Sequence, residues 1–127
     1  MVNFSEIRVV ILAGGKGTRL SELTRLVPKP MVSVKNKPLI SHIISHYSNY
    51  GFKNFIVATG YKSEILEKYF KHDYLNKNNL SINCIFTGKN SMTGGRILKL
   101  KKSLEKFHYF MFYLLIIHLN KYIITFW

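Results

Sequence analysis

Acidic residues are scarce in this sequence of 127 residues, which has 6 Asp and Glu against 19 Lys and Arg and a formal net charge of +13. A site that needs several carboxylates is therefore difficult to build within the chain. The single cysteine, Cys84, excludes an internal disulfide. No positively charged segment followed by an apolar one opens the sequence, so the cytoplasm is the expected compartment.

The excess positive charge favours partners that carry negative charge. Nucleic acid, an anionic membrane face and the phosphates of a nucleotide all fit this description, and charge alone does not distinguish them. Apolar residues make up 47% of the chain, which at this length allows one small domain with a real core. The sequence therefore excludes a disordered or collagen-like chain.

Short apolar runs alternate with amphipathic segments along the chain. The runs have the pattern of strands and the amphipathic segments that of helices: strands over 7–13, 55–59 and 80–86, helices over 38–50, 63–70 and 96–104, and a polar turn over 74–79. Ser63 is the expected cap of the second helix, and Gly51 is the expected end of the first. The alternation predicts a three-layer α/β fold in which helices cover a mostly parallel sheet.

A glycine-rich loop, LAGGKGTRL over 12–20, follows the first predicted strand. Its glycines let backbone N–H groups approach an anion closely, and Lys16, Thr18 and Arg19 add donors. The spacing is neither that of a Walker A loop nor that of a dinucleotide fingerprint. Taken alone, the loop is equally consistent with a simple turn between a strand and a helix.

Two further segments offer groups for an anion. Lys29 stands between Pro28 and Pro30, which restrict the backbone on both sides and suit a phosphate clamp, although Lys29 taken alone favours a surface turn with a solvated lysine. The run SMTGGR, from Ser91 to Arg96, supplies hydroxyls, glycines and an arginine just before a predicted helix.

In this order, the strand, LAGGKGTRL, PKPMV, the helix and SMTGGR resemble the sugar-1-phosphate nucleotidyltransferase family over about residues 8–104. The run from Met92 to Arg96 is most similar to the glucose-1-phosphate cytidylyltransferase branch. The resemblance implies a Rossmann-like nucleotidyltransferase fold, here truncated, because the sugar-binding half of full-length relatives is absent. It also implies a place in nucleotide-sugar synthesis for lipopolysaccharide and O-antigen.

The resemblance implies a reaction and its site residues. An oxygen of a sugar 1-phosphate attacks the α-phosphate of a nucleoside triphosphate, with CTP favoured, to give an NDP-sugar such as CDP-glucose and pyrophosphate. Arg19 and Lys29 are the implied catalytic residues, and Mg²⁺ is the implied cofactor. The implied nucleotide-binding residues are Leu12, Ala13, Gly14, Gly15, Lys16, Gly17, Thr18, Arg19, Lys29, Ser91 and Arg96.

Other partners follow from the same resemblance. Family members are often homo-oligomers, and neither nucleic acid nor a membrane is an expected partner. The alternative is a basic module that binds nucleic acid or an anionic membrane surface through its charge. His42 and His46, four residues apart on a predicted helix, lack a third metal ligand nearby in the sequence and are interpreted as helix-surface residues. Cys84 is expected to be a small core residue.

The end of the sequence departs from the family pattern. In the family, a strand ends in a Tyr-Gly-Asp-Gly type turn whose aspartate binds the metal. In this sequence Phe110–Phe112 begins like that strand, but no Gly or Asp follows Tyr113. The apolar run from Phe107 is short for a membrane-spanning helix. We therefore expect residues 1–112 to be the N-terminal nucleotide-binding part, 113–127 to be an out-of-frame or degenerate apolar tail, and the chain to be inactive alone.

Overall fold

The fold is taken from a computed structural model, which describes residues 3–18, 21–71, 79–107 and 109–114. Within these ranges the chain forms six strands and five α-helices. The strands are β1 (Arg8–Leu12), β2 (Ser33–Val34), β3 (Lys37–Pro38), β4 (Asn54–Thr59), β5 (Ser81–Phe86) and β6 (Phe110–Leu114). The helices are α1 (Ser21–Thr24), α2 (Leu39–Asn49), α3 (Ser63–Tyr69), α4 (Thr93–Lys99) and α5 (Lys101–Leu104).

The main sheet has four strands in the order β5-β4-β1-β6. Each neighbouring pair is parallel, and at the carboxyl end of β1 Leu12 lies between Ala58 of β4 and Leu114 of β6. All four carboxyl ends therefore lie at one edge, which is where ligands bind in open α/β sheets. The predicted mostly parallel sheet is confirmed.

The two central strands send alternate side chains to opposite faces of the sheet, as the pleat of a strand requires. On one face Ile11 packs in a cluster with Ile44 of α2 and Leu66 of α3. On the other face Val10 packs in a smaller cluster with Leu104 of α5. Apolar burial on both faces explains the continuous apolar sequence of β1 and confirms the three layers.

The last predicted helix is divided in two by Leu100. Helix α4 begins at Thr93, three residues before the predicted start at Arg96, and α5 ends at Leu104 as predicted. The N–H of Leu100 bonds to the carbonyl of Ile97, which tightens the chain between the two helices. The turn keeps Leu100 fully buried in the smaller cluster.

The predicted cap at Ser63 is wrong, because Ser63 is already the first residue of α3. Lys62 holds the cap position with φ +52° and makes no side-chain capping bond. The chain must reverse direction sharply between β4 and α3, and a left-handed residue accomplishes this reversal. Gly51, with φ +94°, ends α2 as predicted.

A small antiparallel ribbon of β2 and β3 was not predicted. Its turn residues, Lys35 and Asn36, both have positive φ, at 48° and 63°, as a tight hairpin turn requires. The ribbon leads directly into α2, and the ring of His42 contacts the carbonyl oxygen of Val34 at 2.7 Å. That contact ties the ring of the half-buried His42 to the ribbon.

Strand β6 extends two residues beyond the predicted boundary at 112 and includes Tyr113 and Leu114. The ring of Tyr113 lies edge-on to that of Tyr47 in α2, with 5.9 Å between centroids. Residues 115–127 lie outside the described residues, as do residues 72–78, which contain most of the predicted polar turn. None of the helices in the described ranges has the length and apolarity to cross a membrane.

Cys84 lies on β5 against the larger apolar cluster, in a position suited to a small core residue. Burial, with the negative charge of Glu67 adding to it, raises the pKa of its thiol from 9.0 to about 12. The unfolded chain therefore releases this proton first, and the stability that depends on the neutral thiol is lost as the pH rises from about 9 to 12.

We expect Cys84→Ala to reduce the fall in stability at alkaline pH, because alanine cannot ionise. Burial and Tyr113 also raise the pKa of Tyr47, and both chains keep that contribution. The measurement is the urea midpoint of the wild type and the variant between pH 8 and 11. If the urea midpoint depends on pH equally in the two chains, Cys84 does not contribute to the loss of stability at alkaline pH.

Candidate functional site

A cavity of about 290 Å³ opens at the carboxyl end of β1. The three segments singled out in the sequence all line it, although they are far apart along the chain. The lining residues are Leu12, Ala13, Gly14, Gly15, Gly17, Lys29, Pro30, Ser91, Met92, Thr93 and Arg96. Lys16 and Thr18 are exposed and do not line the cavity, and Arg19 lies outside the described residues.

The glycine loop is anchored to the end of β4. The N–H of Ala13 bonds to the carbonyl of Ala58 at 2.9 Å, and the N–H of Tyr61 bonds to the carbonyl of Gly14 at 3.1 Å. Gly15 is exposed, and a Cβ added there would meet no heavy atom within 4 Å. The loop therefore combines a fixed base with an open stretch of backbone that a ligand can approach.

Gly17 requires glycine for two reasons. Its φ of +64° is in the left-handed region, and an added Cβ would lie 2.9 Å from Cγ2 of Thr24 and 3.1 Å from Cβ of Lys29. The hydroxyl of Thr24 donates to the carbonyl of Gly17 at 3.1 Å. This close packing brings the loop, α1 and Cβ of Lys29 together.

Lys29 is the first residue of a short 3-10 turn, Lys29–Met31. The lysine itself lies between the buried prolines Pro28 and Pro30. The N–H of Met31 bonds to the carbonyl of Pro28 at 2.8 Å, and that of Val32 bonds to the carbonyl of Lys29 at 3.1 Å. The backbone is therefore fixed on both sides of the lysine, as its two prolines predict. The half-buried side chain lines the cavity.

Arg96 is 5% exposed and lies between the ends of β1 and β5. Its Nη2 donates to the carbonyl of Gly14 at 2.8 Å. Its Nη1 donates to the carbonyl of Gly88 at 2.7 Å and to the hydroxyl of Thr87 at 2.9 Å. These bonds hold the glycine loop and the loop after β5 in one arrangement.

The acceptors that the described residues offer Arg96 are carbonyl and hydroxyl oxygens, and none is a carboxylate. Burial lowers the pKa of Arg96 because it disfavours the charged form. The guanidinium therefore places a positive charge, without a negative partner among these residues, at the wall of the cavity. An anionic ligand would be attracted to it.

Ser91 is fixed by two bonds of its own. Its hydroxyl donates to the carbonyl of Thr87 at 2.6 Å and accepts from Nζ of Lys99 at 3.0 Å. Nζ of Lys99 also donates to the carbonyl of Thr87 at 3.0 Å. Lys99 is not among the residues that the sequence predicted for the site; its position one helical turn after Arg96 was the signal for a further contact with this loop.

The corner that follows β4 was also missed. The hydroxyl of Tyr61 donates to the carbonyl of Thr24 at 3.3 Å, and Nζ of Lys62 donates to the carbonyl of Arg25. Together with the bond from the N–H of Tyr61 to Gly14, these contacts hold both flanks of the glycine loop. The signal was available, because Gly60 follows a second parallel strand at the same edge of the sheet.

A protein-held metal ion does not fit the described part of this cavity. None of its lining residues is acidic. Among the described residues there is also no group of three or more His, Cys, Asp and Glu that could hold a metal ion, so His42 and His46 have no further ligands there. The cavity is instead a basic, glycine-lined site that suits an anion.

Comparison with known proteins identifies relatives for almost the whole chain. The sequence model of the nucleotidyl transferase family matches residues 8–123. Glucose-1-phosphate cytidylyltransferase of Salmonella typhimurium is 35% identical over 125 residues, which cover 84% of this chain and 49% of that protein. D-glycero-alpha-D-manno-heptose 1-phosphate guanylyltransferase of Campylobacter jejuni is 38% identical over 69 residues, which cover 54% of this chain and 31% of that protein.

Solved structures share the fold. UDP-glucose pyrophosphorylase complexed with UDP-glucose has a TM-score of 0.71 and 24% identity, and the match covers 85% of this chain and 45% of that one. HddC from Yersinia pseudotuberculosis complexed with GMP-PN has a TM-score of 0.64 and 29% identity, covering 85% and 47%. The chain spans about half the length of the curated relatives it matches. With its sheet, its glycine loop and a family match over residues 8–123, the chain belongs to the nucleotidyl transferase family.

Proposed function

We propose that this chain forms the nucleotide site of a sugar-1-phosphate nucleotidyltransferase and that CTP is its preferred nucleotide. The observation that carries the proposal is a cavity built from the glycine loop, Lys29 and the buried cation of Arg96, with no acidic residue among the described residues that line it. An anion is the ligand that such a wall attracts.

The preference for CTP rests on relatives. The proteins from Salmonella typhimurium and Bacillus subtilis, at 35% and 37% identity, are named as glucose-1-phosphate cytidylyltransferases, the second as probable. Other relatives are named as a guanylyltransferase and a uridylyltransferase, so the fold accommodates other bases. We propose that the segment from Ser91 to Arg96 distinguishes the base, because Ser91, Met92, Thr93 and Arg96 line the same cavity as the glycine loop.

In the proposed reaction, a phosphate oxygen of a sugar 1-phosphate attacks the α-phosphorus of the triphosphate. The bond from that phosphorus to the oxygen bridging it to the β-phosphate breaks, and pyrophosphate leaves. Reactions of this kind depend on positioning and on neutralising charge. The N–H groups of the glycine loop and the ammonium of Lys29 bind and orient the phosphates, and Arg19 is proposed to act with Lys29.

Magnesium is expected to accompany the nucleotide, but the described lining offers it no carboxylate. The residues present therefore do not fit a protein-held Mg²⁺, and no step of the reaction is assigned to one. In the experiments below, Mg²⁺ is supplied with the triphosphate as its counter-ion.

We expect the purified chain to bind CTP without catalysing transfer. The described cavity lacks the carboxylate that the family pattern supplies for the metal, so the charge on the leaving pyrophosphate is poorly neutralised. The measurement is pyrophosphate release from CTP, glucose 1-phosphate and Mg²⁺. Turnover of about 1 s⁻¹ or faster, which is typical of enzymes, would contradict this expectation.

A further inference from the structure

The carbonyl of Gly14 accepts two bonds, from Nη2 of Arg96 at 2.8 Å and from the N–H of Tyr61 at 3.1 Å. This carbonyl belongs to the same planar trans peptide as the N–H of Gly15, and in such a peptide the two groups point in opposite directions. Fixing the Gly14 carbonyl therefore fixes the direction of the Gly15 N–H. Gly15 is exposed and lines the cavity.

The contact between Arg96 and Gly14 is close and specific. A Cβ added to Gly14 would overlap Nη1 and Cζ of Arg96, so the guanidinium lies directly against the glycine backbone. The arginine is itself held from the other side, because its Nη1 donates to Gly88 and Thr87. The planar guanidinium of arginine carries several N–H donors in a fixed fork and can bond to both loops at once. A lysine has a single ammonium group and lacks this fork.

We propose that Arg96 is a positioning residue for the glycine loop: by holding the Gly14 carbonyl, it keeps the Gly15 N–H directed away from the β4 corner and available to an anion in the cavity. The loop holds this arrangement before any ligand binds. Its consequence for affinity rests on the proposed nucleotide site.

The test compares Arg96→Lys with Lys99→Met in the full chain. Arg96→Lys keeps the positive charge but loses the fork, and we expect the amide resonance of Gly15 to shift in the ligand-free protein and the affinity for CTP with Mg²⁺ to fall about tenfold or more. Lys99→Met removes a charge from the same helix but leaves the bond to Gly14. We expect its Gly15 resonance to stay at the wild-type position.

A third variant separates positioning from general loss of stability. Leu104→Ala removes a side chain from the smaller apolar cluster without touching the loop, and we expect it to lower the melting temperature while CTP affinity stays within about threefold of the wild type. A wild-type Gly15 resonance in Arg96→Lys would overturn the proposal, as would an equal loss of affinity in Leu104→Ala. If the wild type binds no nucleotide, the proposed function fails, and the Gly15 resonance still decides the positioning role.

Discussion

Gly60→Ala is expected to lower the free energy of unfolding by about 3 to 5 kcal/mol, a loss at the upper end of single substitutions. An added Cβ would lie 2.6 Å from the carbonyl oxygen of Gly88 and 2.7 Å from that of Gly14. It would also lie 2.6 Å from Nη1 of Arg96. Two of these three atoms belong to the backbone, and they can move away only if the loops after β1 and β5 separate.

Gly14→Ala provides a matched comparison, because its added Cβ meets only atoms of the Arg96 side chain as its nearest neighbours. We therefore combine Arg96→Met with each glycine substitution in a double variant. We expect Arg96→Met to recover part of the stability lost in Gly14→Ala but little of that lost in Gly60→Ala. Gly94→Ala, where an added Cβ meets nothing within 4 Å, is the control for glycine replacement itself. Urea denaturation followed by circular dichroism measures the wild type and each of these variants; wild-type stability in Gly60→Ala would contradict the close packing of this corner.

Lys29→Met is expected to weaken CTP binding by about 1.5 to 3 kcal/mol, or roughly ten- to a hundredfold, because it removes the charge-assisted bond to phosphate that we propose for this lysine. The lysine lines the cavity from a turn fixed by two buried prolines, so its backbone should be unchanged in the variant. Stability should change little, since methionine keeps most of the aliphatic stem. Calorimetric titration with CTP and Mg²⁺ measures the affinity, and thermal unfolding checks the fold.

The control for Lys29→Met is Lys53→Met, which removes the same charge from an exposed position just before β4. That position lies at the amino end of the parallel strands, on the opposite edge from the cavity. Equal losses of affinity in the two variants would mean that net charge, rather than a specific contact of Lys29, attracts the nucleotide. We expect Arg19→Ala to lower the affinity by a similar amount to Lys29→Met.

The sheet could be predicted because its information is local. The apolar runs of β1 and β4 are short and end at glycines, and the face of α2 repeats with helical spacing, so each element is visible in a few consecutive residues. The ribbon of β2 and β3 was missed because each strand has two residues, too few for an alternating pattern.

The site could be predicted only in part, for a reason of the same kind. An anion site is indicated by residue type alone, from the glycines, Lys29 and the SMTGGR run. The bond from Arg96 to Gly14 joins residues 82 positions apart, and no local pattern indicates that this arginine bonds to carbonyls. Likewise, the left-handed backbone of Lys62 follows from the sharp reversal between β4 and α3, a requirement of the folded topology rather than of lysine.

The net charge of +13 sustains the alternative of a basic module for nucleic acid or an anionic membrane surface. Such binding neutralises many phosphates at once, so its affinity falls steeply with salt and is indifferent to the identity of the base. A cavity site for one nucleotide saturates at one molecule per chain and distinguishes bases. The two functions therefore differ in stoichiometry as well as in salt dependence.

The proposed nucleotide site is tested most directly by a calorimetric titration of the purified chain with CTP in the presence of Mg²⁺, repeated with UTP, dTTP and GTP. We expect saturable binding at one site per chain, with the highest affinity for CTP. Equal affinity for all four nucleotides would remove the preference for CTP and leave the nucleotide site standing. The absence of saturable binding by any of them, with salt-sensitive binding of nucleic acid or vesicles instead, would contradict the proposed nucleotide site.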